Sequence, residues 1–128
     1  MKYYFNKTIE GSFEEVCQRV FEALKNEGFG VLTEIDVQET LKKKLDVDFR
    51  KYKILGACNP SFAYKALQTE DKIGIMLPCN VIVQEIDEDE IEVAAVDPIA
   101  SMQAIHNPNL EGIALQVQEQ LKKVIAAV

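Results

Sequence analysis

The sequence predicts an α+β domain with two layers, in which an antiparallel-rich sheet carries two long helices on one face. Segments of β-branched and apolar residues, typical of strands, are interleaved with apolar residues at helical spacing. A hairpin with strands 81–86 and 91–96 joins two neighbouring antiparallel strands. The chain has 128 residues, of which 48% are hydrophobic, so we expect a single domain over residues 1–128 with its own core.

The first third of the chain alternates strand and helix signals. Residues 2–10 are rich in aromatic and β-branched residues and predict a strand. Ser12 opens a long helix, because together with Glu15 it forms a capping box. Gly28 supplies the left-handed residue that ends this helix. Residues 29–35 alternate apolar side chains onto one face and predict the second strand.

The middle of the chain contains shorter elements. Asp36 caps a short helix, and residues 52–58 predict a mostly buried strand. Asn59 precedes a proline and fits the cap of another short helix, with the proline at its first position. Residues 73–86 predict a strand region that Pro78 interrupts, because proline cannot donate a hydrogen bond to a sheet ladder.

The last part of the chain contains the hairpin, a connector and the second long helix. Acidic residues 87–90 turn the chain between the hairpin strands, and residues 97–107 form a connector with room for one helical turn. Asn107 caps the final helix, whose apolar residues recur every three or four positions. The hairpin is apolar on both faces and the long helices cover one, so connecting segments or a second subunit must cover the other.

Composition and charge disfavour several classes of protein. The 14 basic and 21 acidic residues give a net charge of −7, which argues against general nucleic-acid or anionic-membrane binding. No apolar run approaches the roughly 18 residues that span a bilayer, and the first residues do not resemble a signal peptide. The three cysteines are an odd number, and free thiols in a cytoplasmic protein are the simplest interpretation.

Two Cys-Asn pairs, Cys58-Asn59 and Cys79-Asn80, are the most unusual feature, and each lies where a strand meets a turn. Cys58 lies beside a predicted helix N-terminus, whose dipole stabilises a thiolate. If the two junctions meet in space, the cysteines can bind a soft metal or form a reversible disulfide. The alternative is that the cysteines are apolar fillers and the asparagines serve caps and turns. Cys17, on the apolar face of the first helix, is expected in the core.

Met102 and His106 extend this set of candidates, because residues four positions apart share one face of a helical turn. Together with Cys58 and Cys79 they suit Cu(I) by ligand softness, although a histidine near a helix cap is also an ordinary surface residue. A catalytic role for His106 lacks a visible nucleophile and orienting carboxylate. Asp97 either caps the helical turn that follows it or faces a ligand.

Basic residues near the second short helix and the third strand can form a local positive patch that binds a phosphate or carboxylate group. The ordinary alternative is a solvated helix end and strand edge. The residues concerned are Lys42, Lys43, Lys44, Arg50, Lys51 and Lys53.

Taken together, these motifs resemble the domain-of-unknown-function family 302, a group of small bacterial and archaeal proteins. The resemblance covers essentially the whole chain, and the Cys-Asn pairs are its most specific part. The motif residues are Cys58, Asn59, Pro60, Pro78, Cys79, Asn80, Asp97, Pro98 and Met102. The resemblance implies a TBP-like two-layer fold of outline β-α-β(4)-α and a homodimer. It implies no activity and no cofactor, so no catalytic residue is carried over.

The leading hypothesis is a cytoplasmic homodimer without enzymatic activity that binds a small molecule in a cleft between sheet and helices. Its candidate ligand-binding residues are Cys58, Asn59, Cys79, Asn80, Asp97 and Met102. The alternative is a thiol redox or Cu(I)-type protein, whose candidate metal ligands are Cys58, Cys79, Met102 and His106. An enzyme acting on a small polar molecule near Asp97 and His106 is the third hypothesis. The sequence identifies no cofactor.

Overall fold

A computed structural model describes residues 2–128 and contains one five-stranded sheet. The strand order is β1-β5-β4-β3-β2, and every neighbouring pair is antiparallel. The strands are β1 (Tyr4–Glu10), β2 (Gly30–Asp36), β3 (Tyr52–Cys58), β4 (Cys79–Asp87) and β5 (Glu90–Val96). The helices are α1 (Phe13–Asn26), α2 (Val37–Leu45), α3 (Pro60–Thr69), α4 (Pro98–Ser101) and α5 (Glu111–Ala127), with 3₁₀ helices at Asp71–Met76 and Pro108–Leu110.

The predicted fold class is confirmed, because α1 and α5 pack side by side on one face of the sheet. With α2, α3 and α4 as insertions, the order of elements is the β-α-β(4)-α outline that the resemblance implied. The main core lies between the sheet and these two helices. Its fully buried side chains include Val16, Val20, Leu24, Leu55, Val81, Val83, Ile91, Val93, Leu121 and Val124. No helix within residues 2–128 is both long and apolar enough to cross a membrane.

Local sequence signals explain where α1 begins and ends. The Ser12 hydroxyl accepts a hydrogen bond from the backbone N–H of Glu15 at 3.2 Å, as the capping box predicts. Gly28 adopts a φ of +83°, which a glycine tolerates at no steric cost. The N–H of Phe29 then donates to the carbonyl of Leu24 at 2.9 Å and closes the helix end.

The prediction of a strand region over 73–86 is wrong in its first part. Asp71–Met76 is a 3₁₀ helix, and β4 begins only at Cys79, directly after the cis peptide bond that precedes Pro78. Ile73 is fully buried in a second, smaller core cluster beneath α3. A short apolar run fits a buried turn as well as a buried strand, and here contacts with a distant helix decide between them.

The segment Gly30–Leu45, which we call the β2–α2 arm, packs sparsely at one edge of the sheet. β2 is an outer strand, and α2 has no buried residue. Leu32 and Leu45 are 68% and 66% exposed. A helix of nine residues gains little from its own backbone hydrogen bonds and depends on packing for stability. Within one chain the arm is therefore held mainly by the pairing of β2 with β3, and it buries few apolar side chains.

The sheet face opposite α1 and α5, which we call the open face, carries a hydrogen-bonded chain of polar side chains. Arg50 Nε donates to Gln84 Oε1 at 2.8 Å. Gln84 Nε2 donates to Glu92 Oε1 at 2.7 Å, and Asn6 Nδ2 donates to Glu92 Oε2 at 3.0 Å. This polar chain runs from β1 across β5 and β4 to Arg50, shortly before β3 begins, so it links polar groups of three neighbouring strands.

Candidate functional site

The two Cys-Asn junctions lie next to each other in the sheet. β3 and β4 are neighbouring antiparallel strands, and Ala57 pairs with Cys79. Cys58 is the last residue of β3 and Cys79 is the first of β4. Cys58 therefore lies one residue beyond the position opposite Cys79. The two junctions therefore meet in space, which is the condition for the two cysteines to act together.

Both cysteines line a cavity of about 30 Å³, which we call the sulfur cavity. Met102 is a third sulfur-containing residue of the same lining, and Asn59 is its one residue with an amide group. The remaining lining residues are Phe29, Ala57, Phe62, Ala63, Ala66, Leu77, Pro78, Ile113, Ala114 and Val117. A water molecule occupies about 30 Å³ in the liquid, whereas pockets for organic ligands measure roughly 300–1,000 Å³. The cavity is therefore the size of a single ion or atom.

Three different elements position the sulfur atoms. Cys79 is held by the β3–β4 pairing, and Cys58 is held by the β2–β3 pairing, opposite Gly30. Met102 follows the single turn of α4, and its N–H donates to the carbonyl of Pro98 at 3.0 Å. The backbone of each sulfur residue is thus held by secondary structure, which makes the arrangement reproducible before any ligand arrives.

The two thiols differ in burial and acidity. Burial, and after it the negative charge of neighbouring Cys58, raises the pKa of Cys79 to about 11. Cys79 is only 7% exposed, whereas Cys58 is half-buried. At neutral pH the Cys79 side chain is a neutral thiol with low nucleophilicity. Cys58 is the thiol that solvent reaches, and all three cysteines of the chain are free.

Asn59 occupies the N-cap position of α3, but the prediction that its side chain serves as a cap is wrong. The first turn of α3 receives no hydrogen bond from it. Instead, Asn59 Nδ2 donates to Oε1 of Gln120 in α5 at 3.2 Å. The amide therefore ties the β3–α3 junction to α5 and holds one wall of the sulfur cavity.

Asn80 and His106 lie outside the sulfur cavity. Asn80 is exposed within β4, not in a turn, because the strand starts at Cys79, two residues earlier than expected. It lines a groove of about 460 Å³ on the open face together with Tyr4 and Tyr52. His106 is exposed and lines a separate cleft, of about 430 Å³, that it shares with Met102.

Asp97 has a structural role in this arrangement. Its Oδ1 accepts a hydrogen bond from the backbone N–H of Ile99 at 2.9 Å, which confirms the prediction of a helix cap. The same oxygen accepts from Gln118 Nε2 at 3.0 Å. Asp97 therefore anchors the start of α4 to α5 and, with it, the turn that carries Met102.

The basic residues near α2 and β3 do not form a positive patch, because most have an acidic partner. The ion pairs are Lys42 with Asp46 and Asp48, Lys43 with Glu39, Lys51 with Glu14, and Lys53 with Glu34, at distances of 2.7–3.3 Å. Arg50 packs over the Phe49 ring at 4.4 Å. A site for an anionic ligand would have to displace these carboxylates, so the alternative of a solvated surface is correct.

Sequence reasoning missed the cleft of about 570 Å³ between the start of α1 and the ends of β2 and β3. No local motif indicates it, because its charged residues come from three elements. Its lysines are already paired with Glu14 and Glu34, and Asp36 caps α2. The residues that line it are therefore engaged with one another, and none of these charges is left over for a ligand.

The available donor sets decide which ions the chain can hold. Within residues 2–128, no three His, Cys, Asp or Glu side chains come together in a way that could bind a metal ion. Typical zinc sites, which need four such ligands, are therefore not formed by the described residues. Two thiols and a thioether make a soft donor set of a different kind.

Comparisons with known proteins agree with this structure. Residues 5–128 match the family model described as Domain of unknown function DUF302. An uncharacterized protein of Aquifex aeolicus (strain VF5) is 24% identical over 131 residues, which cover 99% of this chain and 85% of the relative. The crystal structure of an uncharacterized conserved protein DUF302 from Bacillus stearothermophilus matches with a TM-score of 0.91 and 27% identity, over 99% of this chain and 98% of that one. The resemblance inferred from the Cys-Asn motifs is therefore confirmed, and the chain belongs to the DUF302 family.

Proposed function

We propose that this chain is a binding protein for a single soft metal ion of the Cu(I) type, held in the sulfur cavity. The observation that supports this proposal is the joint lining of one ion-sized cavity by Cys58, Cys79 and Met102. Thiolate and thioether ligands select Cu(I) over the harder divalent ions. The sequence led us to expect a small organic molecule as the ligand. We propose an ion instead, because the volume of the sulfur cavity is far below that of pockets that hold organic ligands.

The surroundings of the three sulfur atoms also favour a soft ion. Except for Asn59, the lining consists of apolar side chains, which exclude the water and carboxylate ligands that hard cations need. When Cu(I) binds, each thiol releases its proton to water as its Cu–S bond forms, and no electron is transferred. Cys58 is half-buried, so solvent reduces the cost of the negative charge that two thiolates leave beside one cation.

Anaerobic reconstitution with Cu(I) tests the proposal. After desalting, we expect the parent chain to retain about one copper ion per chain by elemental analysis. Cys58→Ser and Cys79→Ser should each lose most of this copper. Cys17→Ala is the matched control, because Cys17 lies on α1 and does not line the sulfur cavity, and it should retain copper like the parent.

Two results would overturn the proposal. One is a parent chain that retains no copper, and the other is retention by the serine variants equal to that of the parent. Circular dichroism of each variant shows whether it is folded, so loss of copper through unfolding is recognised. Formation of a Cys58–Cys79 disulfide on mild oxidation, without copper retention by the reduced chain, would favour the redox alternative instead.

We further propose that the chain forms a homodimer in which the second copy packs on the β2–α2 arm. The arm has a free strand edge and a helix without any buried residue, and Leu32 and Leu45 are exposed on it. Apolar side chains and open strand edges of this kind are usually covered by a partner. A second copy supplies the same apolar residues and an identical edge for antiparallel pairing.

Light scattering on a sizing column tests the homodimer. The expected mass is twice that of one chain, and replacing Leu32 and Leu45 together by lysine should yield the monomer. Tyr64→Lys is the control, because Tyr64 on α3 is equally exposed but lies away from the arm. A monomeric parent, or dissociation by the Tyr64 variant alone, would contradict the proposal.

We place the protein in the cytoplasm, where soft-metal thiol sites stay reduced. The support is that all three cysteines are free thiols, as a reducing compartment requires. Alkylation of intact cells followed by mass spectrometry should find Cys58 and Cys79 reduced. Recovery of the protein in a secreted or periplasmic fraction would contradict this location.

A further inference from the structure

The sulfur cavity shares a wall with the open cleft that contains His106. Met102 and Ala114 line both spaces, so a single layer of side chains separates the ion-sized cavity from a cleft of about 430 Å³. His106, the one histidine of the chain, is exposed on the other side of that wall. The cleft and the cavity together thus contain one imidazole, one thioether and two thiols, with Met102 between the two spaces.

The wall itself consists of a fixed backbone and an adaptable side chain. The N–H of Met102 donates to the carbonyl of Pro98, and its own carbonyl accepts from Ile105 at 3.0 Å. The methionine side chain has three rotatable bonds and no branch, so it changes conformation at small cost. Ala114, the other shared residue, has no side-chain torsion by which it could move aside. Of the two shared residues, Met102 is therefore the one whose side chain can move to connect the cleft with the cavity.

We infer that the His106 cleft is the route by which the soft ion reaches the thiols, an inference that rests on the proposed function. The ion first binds the imidazole of His106, then the Met102 thioether, and finally Cys58 and Cys79. Each exchange breaks one ligand bond as the next forms, the ion stays Cu(I), and the two thiol protons leave for water. Thiolates are the softest and most strongly binding ligands of the series, so the ion accumulates in the sulfur cavity.

The competing route leads directly past Cys58, which is itself half-buried. An ion that entered there would meet a thiol first and would not depend on the cleft. The two routes differ in one measurable respect. Removing the imidazole slows loading only if the ion passes through the cleft, and it leaves the final site unchanged in either case.

Stopped-flow transfer of Cu(I) from the chromophoric chelator bicinchoninate to the reduced full-length chain separates the rate from the affinity. We expect His106→Gln to slow loading by roughly tenfold, the scale on which a lost supporting ligand changes metal binding, with unchanged equilibrium affinity. Met102→Leu, which keeps the volume and removes the sulfur, should lower both the rate and the affinity. Gln103→Ala, which alters the same cleft without removing a soft or imidazole donor, should load like the parent.

The outcomes distinguish the route from the site. If His106→Gln takes up copper at the parental rate and with parental affinity, the proposed route through the cleft is wrong, but the proposed site in the sulfur cavity is unaffected. An equal slowing by Gln103→Ala also overturns it, because the effect would then come from the shape of the cleft. Failure of the parent chain to take copper from the chelator at any ratio overturns the proposed function and the route together.

Discussion

The centre of the sheet and the β2–α2 arm both carry large apolar side chains, but these are buried at the centre and exposed on the arm. At the centre, β4 and β5 are covered by α1 and α5, and Leu121 of α5 is completely buried. In the arm, Leu45 of α2 is 66% exposed. Helices α5 and α2 both carry an apolar stripe, but α5 buries side chains of its stripe within the chain, whereas α2 buries none. The buried side chains that stabilise the single chain therefore lie mainly in the centre of the sheet, and α2 of the arm contributes none.

Leu121→Ala should produce the largest effect. It deletes a fully buried side chain between α5 and the sheet, and such deletions cost about 2–5 kcal/mol because the cavity that remains is only partly filled. Urea unfolding monitored by circular dichroism measures the loss. A decrease below about 1 kcal/mol would mean that the centre does not carry the stability of the chain.

Gly56→Ala tests how closely β3, at the centre of the sheet, packs against β2 of the arm. A Cβ atom at Gly56 would overlap the Thr33 hydroxyl of β2 and would lie 2.8 Å from Cγ of Pro78. We expect a loss of about 1–3 kcal/mol, because β2 or Pro78 has to move. Gly30→Ala, also in the β2–β3 pair, meets no atom within 4 Å and should change stability by less than about 0.5 kcal/mol. Equal losses for the two variants would contradict this packing.

The centre should also be sensitive to high pH, because it contains two buried thiols. Burial raises the pKa of Cys17 and of Cys79 from 9.0 to about 11. Between pH 9 and 11 the unfolded chain has lost these protons while the folded chain keeps them, so stability falls as pH rises. Below pH 9 neither state changes, and the contribution is fully present.

Cys17→Ala should make this decline shallower, because one of the two thiols no longer titrates. We expect the difference between parent and variant to change by about 1–2 kcal/mol from pH 8.5 to pH 10.5, the size of a shift of one to two pKa units. Urea midpoints at the two pH values measure it. Parallel declines in the two proteins would show that Cys17 does not contribute.

Leu45→Ala should have the smallest effect on the fold. It is the same chemical deletion as Leu121→Ala, but it removes an exposed side chain, so the free energy of unfolding of the monomer should change by less than about 0.5 kcal/mol. If a second copy covers the arm, the variant weakens the dimer instead. Unfolding curves at two protein concentrations separate these effects, and a large loss that does not depend on concentration would contradict the comparison.

The elements with strong local signals could be predicted from the sequence, and those that depend on distant contacts could not. The start of α1 at Ser12 and its end at Gly28 follow from caps that involve only neighbouring residues. The apolar run at 73–77 gave the wrong element, because its burial depends on residues from α3 and the 3₁₀ helix before α5. Periodicity over five residues does not distinguish these outcomes.

The candidate site shows the same division. The unusual Cys-Asn pairs at Cys58 and Cys79 indicated a candidate site in the sequence. That the two cysteines lie close together depends on the β3–β4 register. Asn59 looked like an ordinary cap because its actual partner, Gln120, lies 61 residues further along the chain. The four-residue spacing placed His106 near Met102, but it did not show that His106 lines a cleft outside the sulfur cavity. Such relations arise only when the chain has folded.

The polar chain on the open face has a consequence for how the strands align. Arg50, Gln84, Glu92 and Asn6 form bonds only while β4, β5 and β1 keep their observed pairing. If β4 slipped by one residue, the amide of Gln84 would turn into the apolar core and lose both partners. The polar side chains therefore favour the observed strand register over registers shifted by one residue.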